Sequence, residues 1–501
     1  MVFRARTALL LGAAAVLAAA CGGRSRAAAV ADDVVNDAGE PGDGGAEVSA
    51  LASLTLSTGI LRPSFDRNVT DYDVTSLNSV YPVSVTATTS APGTTLTIHG
   101  AATRSGEPSS FTLKPREDIA VVVEAPGLAP VTYTVHYVPS DFPAYNVTSS
   151  PGAGTEDVLM NPNGEYVLIV DRTGAPLYYR TFLPYDLENF QQSTLPDGTV
   201  VYSLTVGVID PNGWTLGVDH LMDDHFNDIG DYKLAAYAQH GVLPAEGHEM
   251  LVLGDQHYVA ISYVKRTLDL SPLNPAWSAT ARVMSDVMQE VDHGEVLVEW
   301  DSASVPSLYA DSIYDNAFGS SSLSDYLHLN SIEVDPADGN FVVSLRHMSS
   351  IAKVDRHTGQ ILWTLGGKED QFGLTADQTF SMQHHVRVHP DGTMTVFDNG
   401  TANDDGSAAH QTRILSFSLD EANHQVSSFE VLYTKPFDQP PTGYMGSATP
   451  LGGGRLFVGW GGWYTNQLAP AATEIVGGVP VWSLQFDQTV TSYRALPITA
   501  L

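Results

Sequence analysis

The sequence predicts an all-β protein, a six-bladed β-propeller preceded by a small antiparallel β-sandwich. Three observations carry this expectation. Between residues 51 and 138, short runs alternate apolar and polar residues and are cut by Gly, Pro or Asn about every ten residues, the pattern of half-buried strands joined by turns. Beyond residue 140 one hairpin phrase recurs, the mark of a repeat architecture. Almost no stretch in either part carries apolar residues at helical spacing.

Residues 1–21, "MVFRARTALLLGAAAVLAAAC", open with Arg4 and Arg6, run through an apolar stretch from Ala8 to Ala20, and end on small residues before Cys21. This is the layout of a secretory signal. It is too short and too unevenly flanked to be preferred as a membrane span, which takes roughly 20 apolar residues. The run Leu17-Ala18-Ala19-Ala20-Cys21 resembles a bacterial lipobox, although Ala18 stands where such boxes favour Leu. Lipidation at Cys21 is expected, and with it an exported, periplasmic or cell-surface, membrane-anchored lipoprotein. Cys21 is the single cysteine, so an internal disulfide is excluded and core burial must hold an exported chain together.

Residues 22–50 are mainly Ala, Gly, Asp and Glu, with almost no large apolar side chains, and read as a flexible tether. Across the chain, 24 Lys and Arg face 57 Asp and Glu, a net charge of −33. That balance argues against nucleic acid and anionic membrane surfaces as partners. Membrane contact is left to the lipid anchor. An anionic substrate would have to be held by a few local cations against the global field.

Residues 51–139 contain "YPVSVTATT", "TTLTIHG", "IAVVVEA" and "VTYTVHYV", the strands of the sandwich. The opening from Leu51 to Phe65, "LASLTLSTGILRPSF", resembles the cadherin-like β-sandwich of bacterial surface proteins, which implies a module without chemistry of its own. Residues 140–501 repeat "VDRTGAPLYYR" at Val170, "IDPNGWTLG" at Ile209, "VDRHTGQILWTLGG" at Val354 and, more loosely, "LDEANHQVSSFEVLY" at Leu419. Partner phrases are "DPADGNFVVSLRH", "HPDGTMTVFDNG" and "PLGGGRLFVGW". Two hairpins with Asp and Gly at their tips make a four-stranded blade, and a period of about 55 to 60 residues gives six, with five and seven as the alternatives.

A propeller packs Val, Ile and Leu between blades and leaves the inner strand ends around its channel for function. His248 in "EGHEMLVLGDQHYV", His328 and Asn330 in "YLHLNSIEV", Arg346 in "FVVSLRHMS" and His384 in "SMQHHVRVHPDG" fall just before or within inner-strand phrases. His328 and Asn330, two apart on an extended segment, are expected on one face. Arg346, always charged, needs an anionic or carbonyl partner. His384 and His385 alternate to opposite faces, so at most one points inward; His384, beside the channel, is expected to contribute little core burial. His347, His385, His389 and His257 read as structural or surface residues. His220 and His225 in "VDHLMDDHFND" are the weaker candidates for a divalent metal.

From Leu327 to Gly400 the chain resembles the bacterial aryl-sulfate sulfotransferases, most closely through "HLNSIEVDP", "GNFVVSLRHMSSIAKVDRHTGQILWTLGG" and "QHHVRVHPDGTMTVFDNG". The resemblance extends more weakly from Asp157 to the carboxy-terminus. It implies a six-bladed propeller behind an amino-terminal β-sandwich, export, and transfer of a sulfuryl group from an aryl sulfate donor to a phenol acceptor without a nucleotide or metal cofactor. It assigns His384 as the nucleophile, His248, His328 and Arg346 as the groups holding the sulfuryl moiety with Asn330 beside them, and Thr449 in "GSATPLGGG" as a further contact. This chain departs from the family in its cadherin-like sandwich and its lack of a cysteine pair; the first leaves open the homodimer, which the family forms partly through its amino-terminal domain.

The residue types suit that chemistry. A neutral imidazole can attack sulfur, a second can protonate the departing phenolate, and a guanidinium stabilises charge on the sulfuryl oxygens. A rate rising from acid to mildly alkaline pH is therefore expected. Two other classes compete: a metal-dependent propeller hydrolase using the same histidines as ligands, and a carbohydrate-binding or adhesive propeller using Trp460, Trp463 and Tyr464 in "VGWGGWYTN". An arginine amid the ligands opposes the first. The aromatic residues do not discriminate the second.

Overall fold

The computed structural model describes residues 49–74, 83–111, 117–138, 142–210, 214–238, 240–402, 408–499 and 501. The signal segment, Cys21 and nearly all of the tether lie outside the described residues. Among those residues no helix is long and apolar enough to cross a membrane.

The sandwich pairs a three-stranded sheet, Leu51–Leu56, Val83–Thr89 and Pro108–Phe111, with a six-stranded one running Leu61–Arg62, Asp71–Val74, Val131–His136, Ile119–Glu124, Thr95–Ile98 and Ala101–Thr103. Period-2 alternation turns Val83, Val85 and Ala87 toward Val121, Val123 and Tyr133, all buried. One pair departs from the antiparallel expectation: Asp71–Val74 runs parallel to Val131–His136.

Six further sheets follow, each with four or five main strands. The second blade is Asp186–Thr194, Val200–Ile209, Thr215–Asp223 and Asp228–Tyr232; the third is Met250–Gly254, His257–Leu268, Ala281–Asp292 and Glu295–Asp301. The fourth is Leu329–Val334, Phe341–Leu345, Ser350–Val354 and Ile361–Gly366; the fifth is His384–Val388, Thr393–Asp398, Arg413–Asp420 and Gln425–Thr434. The phrases at Val354 and Leu419 join third to fourth strands, whereas the one at Ile209 joins second to third, so the repeat is less regular than its sequence suggests.

Blades one and six close the ring through exchanged strands. Ser492–Ile498 pairs with Asp157–Pro162 and heads the first blade, followed by Val167–Val170 and Pro176–Arg180. Tyr145–Ser149 pairs with Val479–Phe486 at the rim of the sixth, outside Ala472–Val476, Arg455–Gly459 and Ser447–Gly452. Inter-blade cores are aliphatic and aromatic: Leu329, Ile332, Leu345, Trp300 and Tyr326 lie between blades three and four, and Ile351, Trp363, Val396 and Phe417 between four and five. Each such side chain contributes roughly 1.5–3 kcal/mol on burial. The sandwich docks on the first blade through Tyr137, whose hydroxyl donates to the Pro176 carbonyl at 2.8 Å, and through Tyr179, which donates to the Tyr137 carbonyl at 2.7 Å.

Candidate active site

First and second strands of a blade run antiparallel, so the start of one and the end of the next share an end of the propeller. The candidate groups collect there. His248 lies two residues before the third blade's inner strand, His328 directly precedes the fourth's, and His384 opens the fifth's. Arg346 and Asn399 follow the second strands of blades four and five, at equivalent positions.

His248 is held by Glu246, which the pairing Leu216↔Glu246 fixes to the second blade. Both Glu246 oxygens lie near His248 Nδ1, at 2.7 and 2.8 Å, and Oε2 also accepts the His248 backbone N–H at 3.0 Å. Gly247 between them is required, because a Cβ there would overlap the Glu188 side chain. The His248 ring stacks on Tyr263 and meets Tyr493 edge-on. Its Nε2 lies 3.1 Å from His328 Nε2. Burial drives His248 down to about 4, which favours the neutral imidazole, and pushes the Glu246 carboxyl well above its usual range.

His328 takes a left-handed backbone, φ 60°, just before its strand, which turns its ring toward His248 while Nδ1 meets Asp325 Oδ2 at 2.6 Å. A bulge between Leu329 and Ser331 interrupts the alternation expected to put His328 and Asn330 on one face. Asn330 instead donates from Nδ2 to the Gln383 carbonyl at 2.8 Å, tying the fourth blade to the loop before His384. Its Oδ1 is buried with no hydrogen bond among the described residues.

Arg346 lies in a 3-10 turn, Arg346–Met348, rather than within a strand. Its backbone N–H donates to the His328 carbonyl at 3.1 Å, and its Nη1 donates to His347 Nε2 at 2.6 Å. His347 Nδ1 donates in turn to the Asp325 carbonyl at 2.6 Å. The residue expected to be structural thus orients the guanidinium.

His384 is 3 % exposed, so it is a core residue as well as a site residue, contrary to the small burial expected of it. The Asn399 carboxamide donates from Nδ2 to the Thr442 and Met445 carbonyls, at 3.1 and 3.0 Å, which leaves Oδ1 facing His384 Nδ1 at 2.7 Å. The proton therefore sits on Nδ1, and Nε2, which accepts the Met445 N–H at 3.2 Å, carries the lone pair. Burial first, then Arg346, holds His384 well below the usual imidazole range, with His248 and His328 adding to the effect. The acid limb expected of a histidine nucleophile is accordingly displaced below its ordinary pH.

Thr449 lies in the inner strand of the sixth blade and has no hydrogen bond to the cluster. His385 is buried and accepts the Ala448 N–H at 3.3 Å. His389 and His257 pair with Thr395 and Glu290. His220 lies between Asp228 and Asp231, away from His225, which pairs with exposed Asp224. Among the described residues, two groups offer ligand atoms within 4.8 Å of one another: Asp223, Asp224 and His225 on a largely exposed turn, as expected of His225 and its neighbouring aspartates but without His220, and Asp325, His328 and His347 at the site. Both His347 nitrogens are already engaged there, and the Arg346 cation stands against them. The donor set does not suit a metal.

Sequence reasoning missed Glu246, Asp325, His347, Asn399, Tyr263 and Tyr493. Local signals existed for three of these: Glu246 and Asp325 stand two and three residues before their histidines, and Asn399 follows the Asp of "FDNG". Beneath the site, Arg494 donates to both Glu249 oxygens at 2.9 Å and from Nη2 to the His248 carbonyl at 3.2 Å.

Fold and site together define a β-propeller with imidazoles gathered around the Arg346 guanidinium. The chain belongs to the arylsulfotransferase family, whose sequence profile matches residues 191–463. A cadherin-like beta sandwich domain profile matches residues 51–138. Comparison with curated proteins finds no match. Among solved structures, the chain is similar to a protein of unknown function from Bacteroides caccae, with 13 % identity over 69 % of this chain and 100 % of that one and a TM-score of 0.41. A quinonprotein alcohol dehydrogenase-like protein from Bacteroides thetaiotaomicron gives 9 % identity over 88 % and 99 %, TM-score 0.37. Virginiamycin B lyase from Staphylococcus aureus gives 9 % over 75 % and 93 %, TM-score 0.32. Likenesses this distant carry no functional argument.

Proposed function

We infer that the protein moves a sulfuryl group from a phenolic sulfate ester to a phenol acceptor in two half-reactions through a sulfated His384. The observation that carries this reading is the enclosed His384, which burial and Arg346 favour in its neutral form while Asn399, meeting Nδ1 at 2.7 Å, fixes the lone pair on Nε2. Nε2 attacks sulfur, the S–O bond to the phenolate breaks, and the Met445 N–H released from Nε2 is left to a sulfuryl oxygen. Arg346 lowers the energy of the charge spread over those oxygens in a dry setting where a fixed cation acts strongly. A proton from the His248–His328 pair neutralises the departing phenolate, and the second half-reaction reverses each step with the acceptor. Asn330 Oδ1 offers an acceptor for a phenol hydroxyl. Export on a signal segment and lipidation at Cys21 belong to the same reading, supported by the sequence of residues 1–21.

The test is transfer from a chromogenic aryl sulfate to a second phenol without added nucleotide. Parallel double-reciprocal lines are expected; intersecting lines would mean direct transfer within a ternary complex.

A further inference from the structure

The carboxylates behind the two imidazoles form a continuous hydrogen-bonded chain with them. Glu246 meets His248 Nδ1 at 2.7 Å, His248 Nε2 meets His328 Nε2 at 3.1 Å, and His328 Nδ1 meets Asp325 at 2.6 Å. Each of these hydrogen bonds needs one proton. An imidazole has one N–H when neutral, so two neutral imidazoles supply two. The third belongs to a carboxyl group or makes one ring cationic.

We propose that Glu246 holds that third proton and is the far end of a two-proton relay serving the leaving phenolate. At rest the Glu246 carboxyl O–H donates to His248 Nδ1, His248 Nε2–H donates to His328 Nε2, and His328 Nδ1–H donates to Asp325. As the S–O bond breaks and the S–N bond to His384 forms, the His248 Nε2–H bond breaks and its proton goes to the phenolate oxygen. At the same time the Glu246 O–H bond breaks and its proton goes to His248 Nδ1. Both imidazoles remain neutral, Glu246 becomes a carboxylate, and the phenol departs. The acceptor phenol returns one proton to His248 Nε2 while Nδ1 returns the other to Glu246.

The surroundings fit these roles. Glu246 is 0 % exposed, and its high proton affinity follows from burial with Asp325 nearby; the His248 and Gly247 N–H groups oppose it. Other titratable or charged groups influencing the chain are Glu188, itself buried and raised to about 7, Asp286, Arg346, Arg494 and His384. Asp325 meets His328 Nδ1 through Oδ2 at 2.6 Å and is placed to fix the His328 tautomer. Glu246 touches no substrate. It is a positioning residue whose stored proton acts through His248.

The proposal rests on the sulfuryl-transfer reading, and its test separates the two. Release of the first phenol is measured in the full-length protein for a series of donors running from nitrophenyl sulfates, whose phenolates leave unaided, to alkylphenyl sulfates, whose phenolates need a proton. Glu246→Gln keeps an acceptor for His248 Nδ1–H and removes the stored proton. The variant should lose about 10- to 100-fold more activity on alkylphenyl donors than on nitrophenyl donors, a part of the general-acid effect. An equal loss on every donor, or none, would overturn the relay. A second measurement needs no variant: wild-type protein in mixed light and heavy water should give a curved proton inventory on alkylphenyl donors, whereas a linear one overturns the two-proton step. Phenol release that survives in His384→Asn would instead overturn the underlying reading.

Discussion

Replacing His384 with Asn tests the centre of the site, and the structure sets two magnitudes for it. The imidazole is fully enclosed and makes two hydrogen bonds, to Asn399 Oδ1 at 2.7 Å and from the Met445 N–H at 3.2 Å. The shorter amide can satisfy one of these partners. The other is left buried without a partner, at about 1–3 kcal/mol, and the lost ring volume adds about 1 kcal/mol. Stability should therefore fall by about 2–4 kcal/mol, a drop in Tm of several degrees, with the folded state retained. Turnover should fall by at least about 10⁴-fold, the scale for removing a covalent nucleophile. The decisive assay is mass spectrometry after brief mixing with donor alone. Wild-type protein should gain one sulfuryl group on the peptide containing His384, and the variant none. An adduct on His248 or His328, or turnover by the variant near the wild-type rate, would refute the assignment.

Arg346→Lys keeps the charge but loses the fork that meets His347, and should lower kcat/KM about 10- to 100-fold; an unchanged value would show that a point charge suffices. Because burial and Arg346 hold the His384 imidazole below its usual range, activity should be level from pH 8 down to pH 6.5, and residual activity of Arg346→Gln should show an acid limb moved to higher pH. A wild-type half-maximum near pH 6.5 would contradict the site's electrostatics. Lys435 is buried against Trp460 and Trp463, and burial depresses it from 10.5 to about 7, a penalty on the charged form of roughly 5 kcal/mol. Cation–π contact and a hydrogen bond to Thr442 offset part of this. The penalty is full below pH 7 and vanishes as pH rises toward 10.5, so Lys435→Met should stabilise by about 2 kcal/mol at pH 6 and progressively less in alkali, read from denaturant midpoints. Stabilisation that grows with pH would reverse the sign and refute it.

The β-sandwich was legible because strand alternation is a local property: Val83, Val85 and Ala87 announce their buried face within seven residues. The hairpin phrases announced blades for the same reason. Ring closure left no local trace, because Ser492–Ile498 finds its partner Asp157–Pro162 more than 300 residues away. At the site, imidazoles were visible because the chain holds only 16 of them, whereas Glu246 and Asp325 were two carboxylates among 57. Arg346 was placed in a strand because "FVVSL" reads as one; the turn that follows depends on backbone bonds from Arg346 and His347 to His328 and Leu327, which no window around Arg346 contains.

Closing the first blade with Ser492–Ile498 also makes the site a late product of synthesis. Arg494 in that strand gathers Asn189 from blade two, Glu249 and the His248 carbonyl into one buried knot, so groups some 300 residues apart must meet before the histidines settle. A nascent chain can make every histidine of the cluster and still possess no site. Activity then serves as proof of a completed ring: a chain clipped before Ser492 is expected to be silent rather than partially active.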